Sequence, residues 1–420
     1  MQRILSEALA SHAGRKVTIA GWIHRRRLLK SVAFLILRDR AGLAQVLVTD
    51  PAVRAQLELL GEETVVQITG LVVANAAAPG GAELTEPEIT ALSEPVTDLP
   101  VELHRPTLAA TLPTLLDHAA VTLRHPSRTA VFALSAALVR GFRTTLDQAG
   151  YTEIFTPKIV GSATESGANV FELDYFGRKA YLAQSPQFYK QTMVGVFERV
   201  YEVGPAFRAE PSDTARHLAE FLSLDVELGF IEDQRDVMTV LREVLAGMLA
   251  SAQGFGFDLP TVPAEIPILH FAEALKIAGA DPAELDLAPA DERALGEWAL
   301  REHGSDFLFV EGYPTAKRAF YTHPEPGGSA YSRGFDLLFR GLELVSGAQR
   351  LHRHDDYVAA IAARGDAIEP YADFLEVFRR GMPPHGGFAI GLERFVARLV
   401  GASNIREVTL FPRDLHRVTP

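Results

Sequence analysis

Three stretches of this sequence carry residue types that could handle phosphate. In Gly386-Gly387-Phe388-Ala389-Ile390-Gly391-Leu392-Glu393-Arg394 a glycine-rich strand runs into an apolar helix, and an arginine in the first turn can hold an anion together with the helix amides. Phe207-Arg208-Ala209-Glu210 ends another strand in a polar loop. That loop continues through Arg216 and His217, and a second strand returns through Glu220, Phe221, Asp225 and Glu227. Near the N-terminus, Arg25-Arg26-Arg27 with Lys30 forms a basic turn beside Trp22, Phe34 and Gln45, a combination suited to phosphate contact, base stacking and edge reading. No Gly-Lys-Ser/Thr occurs, so a Walker phosphate loop is absent, and so is the kinase signature set. Cysteine is missing altogether, which removes thiolate nucleophiles, Cys zinc sites and iron–sulfur clusters. His352-Arg353-His354-Asp355-Asp356 has metal-ligand residue types, but with an arginine inside it reads as a polar loop.

Positioning those groups takes two domains, and 420 residues with 47% hydrophobic content supply the core for them. Strand-like runs at 17–23, 32–37, 44–48, 65–73 and 89–92, with a helix-compatible stretch from Pro51 to Leu60, have the rhythm of a small OB-type Greek-key barrel. Breaks are expected at Arg25 to Lys30, 39–42 and 76–81. Prolines 95, 100, 106 and 113 then interrupt every periodic pattern. The expected layout is a barrel over 1–100, a linker over 101–125 and a second domain over 126–420. In the latter, Val131 to Gln148 has helical spacing and ends before Gly150, and a strand from Tyr151 stops at Pro157. Net charge is −12, against indiscriminate coating of nucleic acid, although residues 1–40 carry nine Lys and Arg against two acids. No apolar run approaches the ~18 residues of a membrane span, so a cytoplasmic enzyme is expected.

Taken together, the helix–strand–Pro157 segment, the loop from Phe207 and the Gly391-Leu392-Glu393-Arg394 junction resemble motifs 1, 2 and 3 of class II aminoacyl-tRNA synthetases. A leading OB barrel is similar to the aspartyl, asparaginyl and lysyl subgroup. The resemblance covers essentially the whole chain, and its length matches the compact archaeal and eukaryotic aspartyl type. It implies an α+β fold: an N-terminal OB barrel plus a catalytic domain built on a six-stranded antiparallel sheet flanked by helices, dimeric through motif 1. It also implies ATP as substrate, bent across the sheet, with Mg²⁺.

Residue by residue, the resemblance implies aspartate held at its side chain by Lys190 (in Gln184-Ser185-Pro186-Gln187-Phe188-Tyr189-Lys190-Gln191) and by Arg350 (in Glu343 to Arg350), with Asp225 orienting those cations and Ser346 nearby. The amino group falls to Glu165, Ser185 and Gln187. Arg208 would meet the α-carboxylate and α-phosphate, Phe221 the adenine, and Arg216, His217 and Arg394 the distal phosphates, with Glu210 and Gly391 also lining the nucleotide. Arg208, Glu343 and Arg394 would be the catalytic set; Asp336, Glu343 and Ser346 would hold Mg²⁺. Anticodon contact is implied at His24, Arg25, Arg26, Arg27, Phe34, Gln45, Pro79 and Glu83. Discriminating archaeal relatives carry Trp and Lys where His24 and Pro79 align, so the expected partners are tRNA-Asp and also tRNA-Asn, with an amidotransferase to convert the product. The rivals are an asparaginyl enzyme, which Lys190 and Arg350 oppose on chemical grounds, and a silent RNA-binding paralogue.

Overall fold

The computed structural model describes residues 2–161 and 169–420, and the chain divides into compact units at 1–129 and 130–420. In the first unit, β1 (Lys16–Leu28), β2 (Ala33–Asp39), β3 (Gly42–Val48), β4 (Val65–Ala74) and β5 (Ala82–Ala91) close into a barrel of order β1-β2-β3-β5-β4. Alternation decides the faces: Ala33, Leu35 and Leu37 point inward with Ala44, Val46 and Val48, leaving Phe34, Ile36 and Gln45 outside. The helix Pro51–Glu58 follows β3, its start fixed by Asp50 accepting from the Ala52 and Val53 amides at 2.7 and 3.1 Å.

Two expectations for the barrel change. Arg25 to Arg27 do not form a turn. They continue β1, because a bulge at His24 resets the register so that Arg25 pairs with Ile36, Arg26 with Leu35 and Arg27 with Phe34. The last strand starts at Ala82 rather than 89, pairing with β4 as far as Ala74. In the segment expected as a linker, Leu112–Asp117 and Ala119–Thr122 are short helices, and Arg124 reaches Glu63 of the barrel at 3.1 Å.

In the second unit, short strands β6 (Thr152–Glu153), β7 (Ile159–Val160), β8 (Glu172–Tyr175) and β9 (Arg178–Leu182) precede the long pair β10 (Arg199–Phe207) and β11 (Glu220–Gly229). Then come β12 (Ile268–His270), β13 (Phe307–Glu311), β14 (Gly334–Phe339), β15 (Glu343–Gln349) and β16 (His385–Gly391). Among the described residues the main sheet has order β12-β13-β14-β15-β16-β11-β10-β6. Its six central strands are antiparallel as expected, and β12 and β6 add one parallel strand at each edge. β7, β9 and β8 form a separate three-stranded sheet.

One face of the main sheet is closed by the helices Pro126–Gln148 and Gln234–Ser251, whose Leu134, Phe142, Leu241 and Met248 join Leu224, Val226, Phe335, Phe388 and Ile390 in one apolar cluster. Since strand side chains alternate, burying Leu224, Val226 and Leu228 on that face turns Ser223, Asp225 and Glu227 to the other. Register then lines up Glu202, Asp225, Ala389, Ser346 and Asp336 across five strands.

In the barrel, Glu63 is buried and its carboxylate accepts from both terminal nitrogens of Arg38 at 2.7 and 2.8 Å, besides Arg124. Removing one partner of a buried charge pair costs about 3–5 kcal/mol. Arg38→Leu should therefore destabilise the first unit by about 3 kcal/mol, less whatever Arg124 retains. Trp22, whose ring lies 5.6 Å from the Arg38 guanidinium, reports that unfolding by fluorescence.

Candidate active site

On the open face of the sheet, Lys190 and Arg350 meet two acids. Lys190 projects from the helix Gln187–Phe197 and donates to Asp225 Oδ1 at 2.9 Å, with Glu227 Oε2 3.3 Å away. Arg350 donates through Nε to Glu227 Oε1 at 3.0 Å and through a terminal nitrogen to the Gly387 carbonyl at 3.1 Å. Ser223 Oγ donates to the other Asp225 oxygen at 2.5 Å. All four charges are buried, at side-chain exposures of 2%, 2%, 0% and 7% for Lys190, Asp225, Glu227 and Arg350. Burial alone pushes the Glu227 carboxyl up, but Arg350 and Lys190 outweigh it and hold the group below its ordinary range. The resemblance implies that Asp225 orients both cations. Asp225 pairs with Lys190, while the acid facing both is Glu227. Gly387 makes this possible: a Cβ there would fall 2.2 Å from Glu227 Oε2 and 2.1 Å from the Val226 carbonyl oxygen.

These cations form the floor of a cleft of about 220 Å³. The same cleft is lined by Ser185, Gln187, Arg208, Glu210, Arg216, His217, Phe221, Asp225, Glu343, Ser346, Gly391 and Arg394, residues drawn from three strands, two loops and two helices. The Arg208 guanidinium lies 5.4 Å from the Phe221 ring centroid, so a flat ring and a cation are adjacent on the wall. Beside His217, whose ring nitrogen Nδ1 is 2.6 Å from Thr214 Oγ1, burial and then Arg394 lower the imidazole pKa and favour the neutral ring. Glu393 accepts the Leu222 amide at 3.0 Å, and burial pushes its carboxyl up to about 7. Glu165 lies outside the described residues.

Asp336 sits beside the cleft rather than in its lining, in a recess shared with Glu343, Arg216, His217 and Arg394. Its Oδ2 accepts from Arg318 at 2.6 Å, and the other terminal nitrogen of Arg318 donates to Ser346 Oγ at 2.9 Å. Asp336 Oδ1 is buried without a hydrogen-bond partner among the described residues. The Glu343 carboxyl is pushed up to about 7, first by loss of solvent and then by Asp336, although 41% of its side chain still faces the open cleft. Arg394 is 3.9 Å from it.

On the barrel, Arg25, Arg27, Phe34 and Gln45 share the outer face through the register Arg25–Ile36–Gln45 and Arg27–Phe34. Gln45 Nε2 donates to Glu83 Oε2 at 2.8 Å. Arg26 departs from the expectation: in register with buried Leu35, it turns away and donates to the Leu57 and Glu58 carbonyls at 2.9 and 3.1 Å, capping the helix C-terminus. His24, in the bulge, is only 8% exposed and lies 3.4 Å from Arg38; burial and Arg38 lower its pKa. It is thus a buried neutral ring and not a surface one. Pro79 stays half-buried in the turn before β5.

Sequence reasoning missed Glu227 and Arg318. The alternation of Asp225 with Glu227 was a usable signal, since both must share one face. Arg318 lies in irregular chain between β13 and β14, and nothing local announces its long-range pairing.

The family described as "tRNA synthetases class II (D, K and N)" matches residues 112–415, and "OB-fold nucleic acid binding domain" matches 17–93. A Thermus thermophilus protein named aspartate–tRNA(Asp/Asn) ligase is 47% identical across the whole of both chains. One of the same name from Deinococcus radiodurans is 44% identical over 100% of this chain and 99% of its own. The crystal structure of asparaginyl-tRNA synthetase from Pyrococcus horikoshii, complexed with asparaginyl-adenylate, superposes at a TM-score of 0.93 with 31% identity, covering all of both chains.

With its carboxyl pushed up to about 7, Glu343 makes stability depend on pH. Between about pH 4.5 and 7 the folded state keeps a proton that the unfolded chain has lost, so this group's contribution falls as pH rises through that window. The difference in unfolding free energy between wild type and Glu343→Gln should decline over the same window. Glu393 and His385, the latter depressed to about 4 by burial, titrate in both proteins and cancel in the difference. Chemical denaturation at a series of pH values tests this; a pH-independent difference contradicts it.

Proposed function

The chain belongs to the class II tRNA synthetases (D, K and N), and from that premise we propose that it is an aspartate–tRNA ligase acting on tRNA-Asp and tRNA-Asn. What carries the aspartate assignment is the buried quartet. Lys190 and Arg350 present two cations to the cleft while Asp225 and Glu227 neutralise them from behind. A substrate carboxylate gains two charge-assisted hydrogen bonds there, whereas an amide forfeits the charge and offers Arg350 a poorer acceptor. A lysine ammonium would meet like charge.

In the first half-reaction a substrate α-carboxylate oxygen attacks the α-phosphorus of ATP and the bond to the β-phosphate oxygen breaks, giving aspartyl-adenylate and pyrophosphate. Arg208, next to Phe221 under the adenine position, offsets the charge on the α-phosphate as it builds. Arg216, His217 and Arg394 receive the departing phosphates. The terminal ribose 3′-hydroxyl of tRNA then attacks the aspartyl carbonyl carbon, and AMP leaves. No protein nucleophile is required, so the rate comes from positioning and charge.

The residues fit a nucleotide-bound Mg²⁺: among the described residues Asp336 Oδ1 is buried with no geometric hydrogen-bond partner and Glu343 has an elevated pKa, and a divalent cation relieves both. Asp336, Glu343 and Ser346 would hold it, which suits an ion that takes few protein ligands beside phosphates and water. When bound it supplies neutralisation of phosphate charge.

For tRNA, Phe34 offers a stacking surface with Arg25 and Arg27 on the same face, and Gln45 and Glu83 supply edge contacts. Separating the Asp and Asn anticodons requires one pyrimidine to be favoured at the third base. With His24 buried and Pro79 offering no amide hydrogen, neither position penalises U. The aspartylated tRNA-Asn would pass to a tRNA-dependent amidotransferase in the cytoplasm. Phe155, Ile159, Tyr175 and Phe176 are exposed on and beside the three-stranded sheet, and a second copy of the chain would cover them in a homodimer. Among the described residues no helix is long and apolar enough to cross a membrane.

ATP–pyrophosphate exchange without tRNA should depend on aspartate, and asparagine or lysine in its place would refute the assignment. Arg350→Leu and Lys190→Met should abolish exchange while ATP binding persists, since an unpaired desolvated carboxylate costs on the order of 3 kcal/mol or more. With matched transcripts, kcat/KM for tRNA-Asp and tRNA-Asn should agree within about tenfold, or 1.4 kcal/mol; strong rejection of tRNA-Asn overturns dual charging.

A further inference from the structure

Behind the substrate cleft lies a second one of about 440 Å³, lined by Arg216, Arg293, Arg394 and Arg398. Arg216 and Arg394 border both clefts, so the two share a wall of guanidinium groups. Arg398 stands one helical turn beyond Arg394 on the helix Leu392–Val400, and Arg293 comes from the first turns of the helix Pro289–His303 and is exposed.

These cations are poorly balanced. Among the described residues, no carboxylate oxygen lies within 4 Å of Arg216, Arg293 or Arg398, and the nearest to Arg394 is Glu343 at 3.9 Å. Glu292 is the acid in range, but it already accepts the Glu343 amide at 3.0 Å. Arg398 Nε is buried with no hydrogen-bond partner among the described residues. Its pKa is lowered by burial and by the neighbouring Arg216, Arg340 and Arg293, of which only Arg340 is satisfied, by Asp306 at 3.1 Å. Clustered guanidinium groups repel one another unless an anion sits among them, and phosphate oxygens match their fork. Two of the four are taken up by the terminal phosphates of ATP. Arg293 and Arg398 remain, in the second cleft, which Phe221 does not line and which shares Arg216 and Arg394 with the first.

We propose that Arg293 and Arg398 form a second anion subsite that takes inorganic pyrophosphate as it leaves the nucleotide cleft. The subsite rests on the reading of Arg216 and Arg394 as ligands of the distal phosphates. Neither Arg293 nor Arg398 lines the nucleotide cleft, so the subsite can fill while nucleotide is bound.

The test keeps the nucleotide cleft occupied. Full-length protein is saturated with α,β-methylene-ATP at fixed free Mg²⁺, and inorganic pyrophosphate is titrated in by calorimetry. The loaded wild type should bind pyrophosphate without releasing the analogue. Arg293→Ala and Arg398→Ala should each weaken pyrophosphate at least tenfold, with analogue affinity within twofold of wild type and unchanged melting temperatures. Absence of pyrophosphate binding to the loaded enzyme, displacement of the analogue, or wild-type affinity in both variants would overturn the subsite while leaving the nucleotide cleft standing. Failure of the analogue to bind at all would overturn the nucleotide cleft, and the subsite with it.

Discussion

Four charges buried at the centre of one sheet face set the terms for the second unit. Lys190 and Arg350 are nearly inaccessible to water, which is tolerable only because Asp225 and Glu227 sit within hydrogen-bonding distance and the Phe388 and Gly387 carbonyls each accept a further donor. Meeting that requirement constrains the elements around it. β11 must place two acids on alternate positions, and β16 must carry a glycine opposite Glu227. The helix Gln187–Phe197 must also lie close enough over the sheet for a lysine to reach through. The apolar cluster on the opposite face holds those strands in register, so the core contributes to recognition through alternation alone.

At the other end of the cleft two carboxyl groups stand among guanidinium groups. Asp336 and Glu343 approach one another, and Arg318 neutralises the first while Glu343 tends to keep a proton. Burial lowers the Arg318 pKa, but Asp336 more than compensates, so the guanidinium stays charged. The floor thus presents two buried cations to the cleft, and the recess presents two carboxyl groups. The row Asp225, Ala389, Ser346, Asp336 joins the two ends through backbone hydrogen bonds, which makes their spacing a property of the sheet. Charge stabilisation fixed in this way needs no reorganisation during reaction.

Much of this was legible in the chain. Gly386 to Arg394 and the loop from Phe207 stand where local pattern places a strand–helix junction and a strand end, and both line the cleft. Lys190 could be named only through the resemblance, because taken alone a helical lysine reads as solvated. Locally, the three consecutive arginines Arg25 to Arg27 look like a solvent-exposed turn. A bulge at His24 instead extends the strand, and alternation sends Arg26 to a helix C-terminus. Glu227 and Arg318 depend on partners 123 and 18 residues away, and pairings of that kind follow from register and loop path rather than from local pattern.

The central claim is that two buried cations, neutralised from behind, choose a carboxylate over an amide. Calorimetric titration of the wild-type protein with L-aspartate and with L-asparagine, without ATP or tRNA, measures that choice directly. A desolvated charge pair of this kind contributes about 2–5 kcal/mol, so aspartate should bind at least roughly 30-fold more tightly. Equal affinities, or a preference for asparagine, would contradict the account.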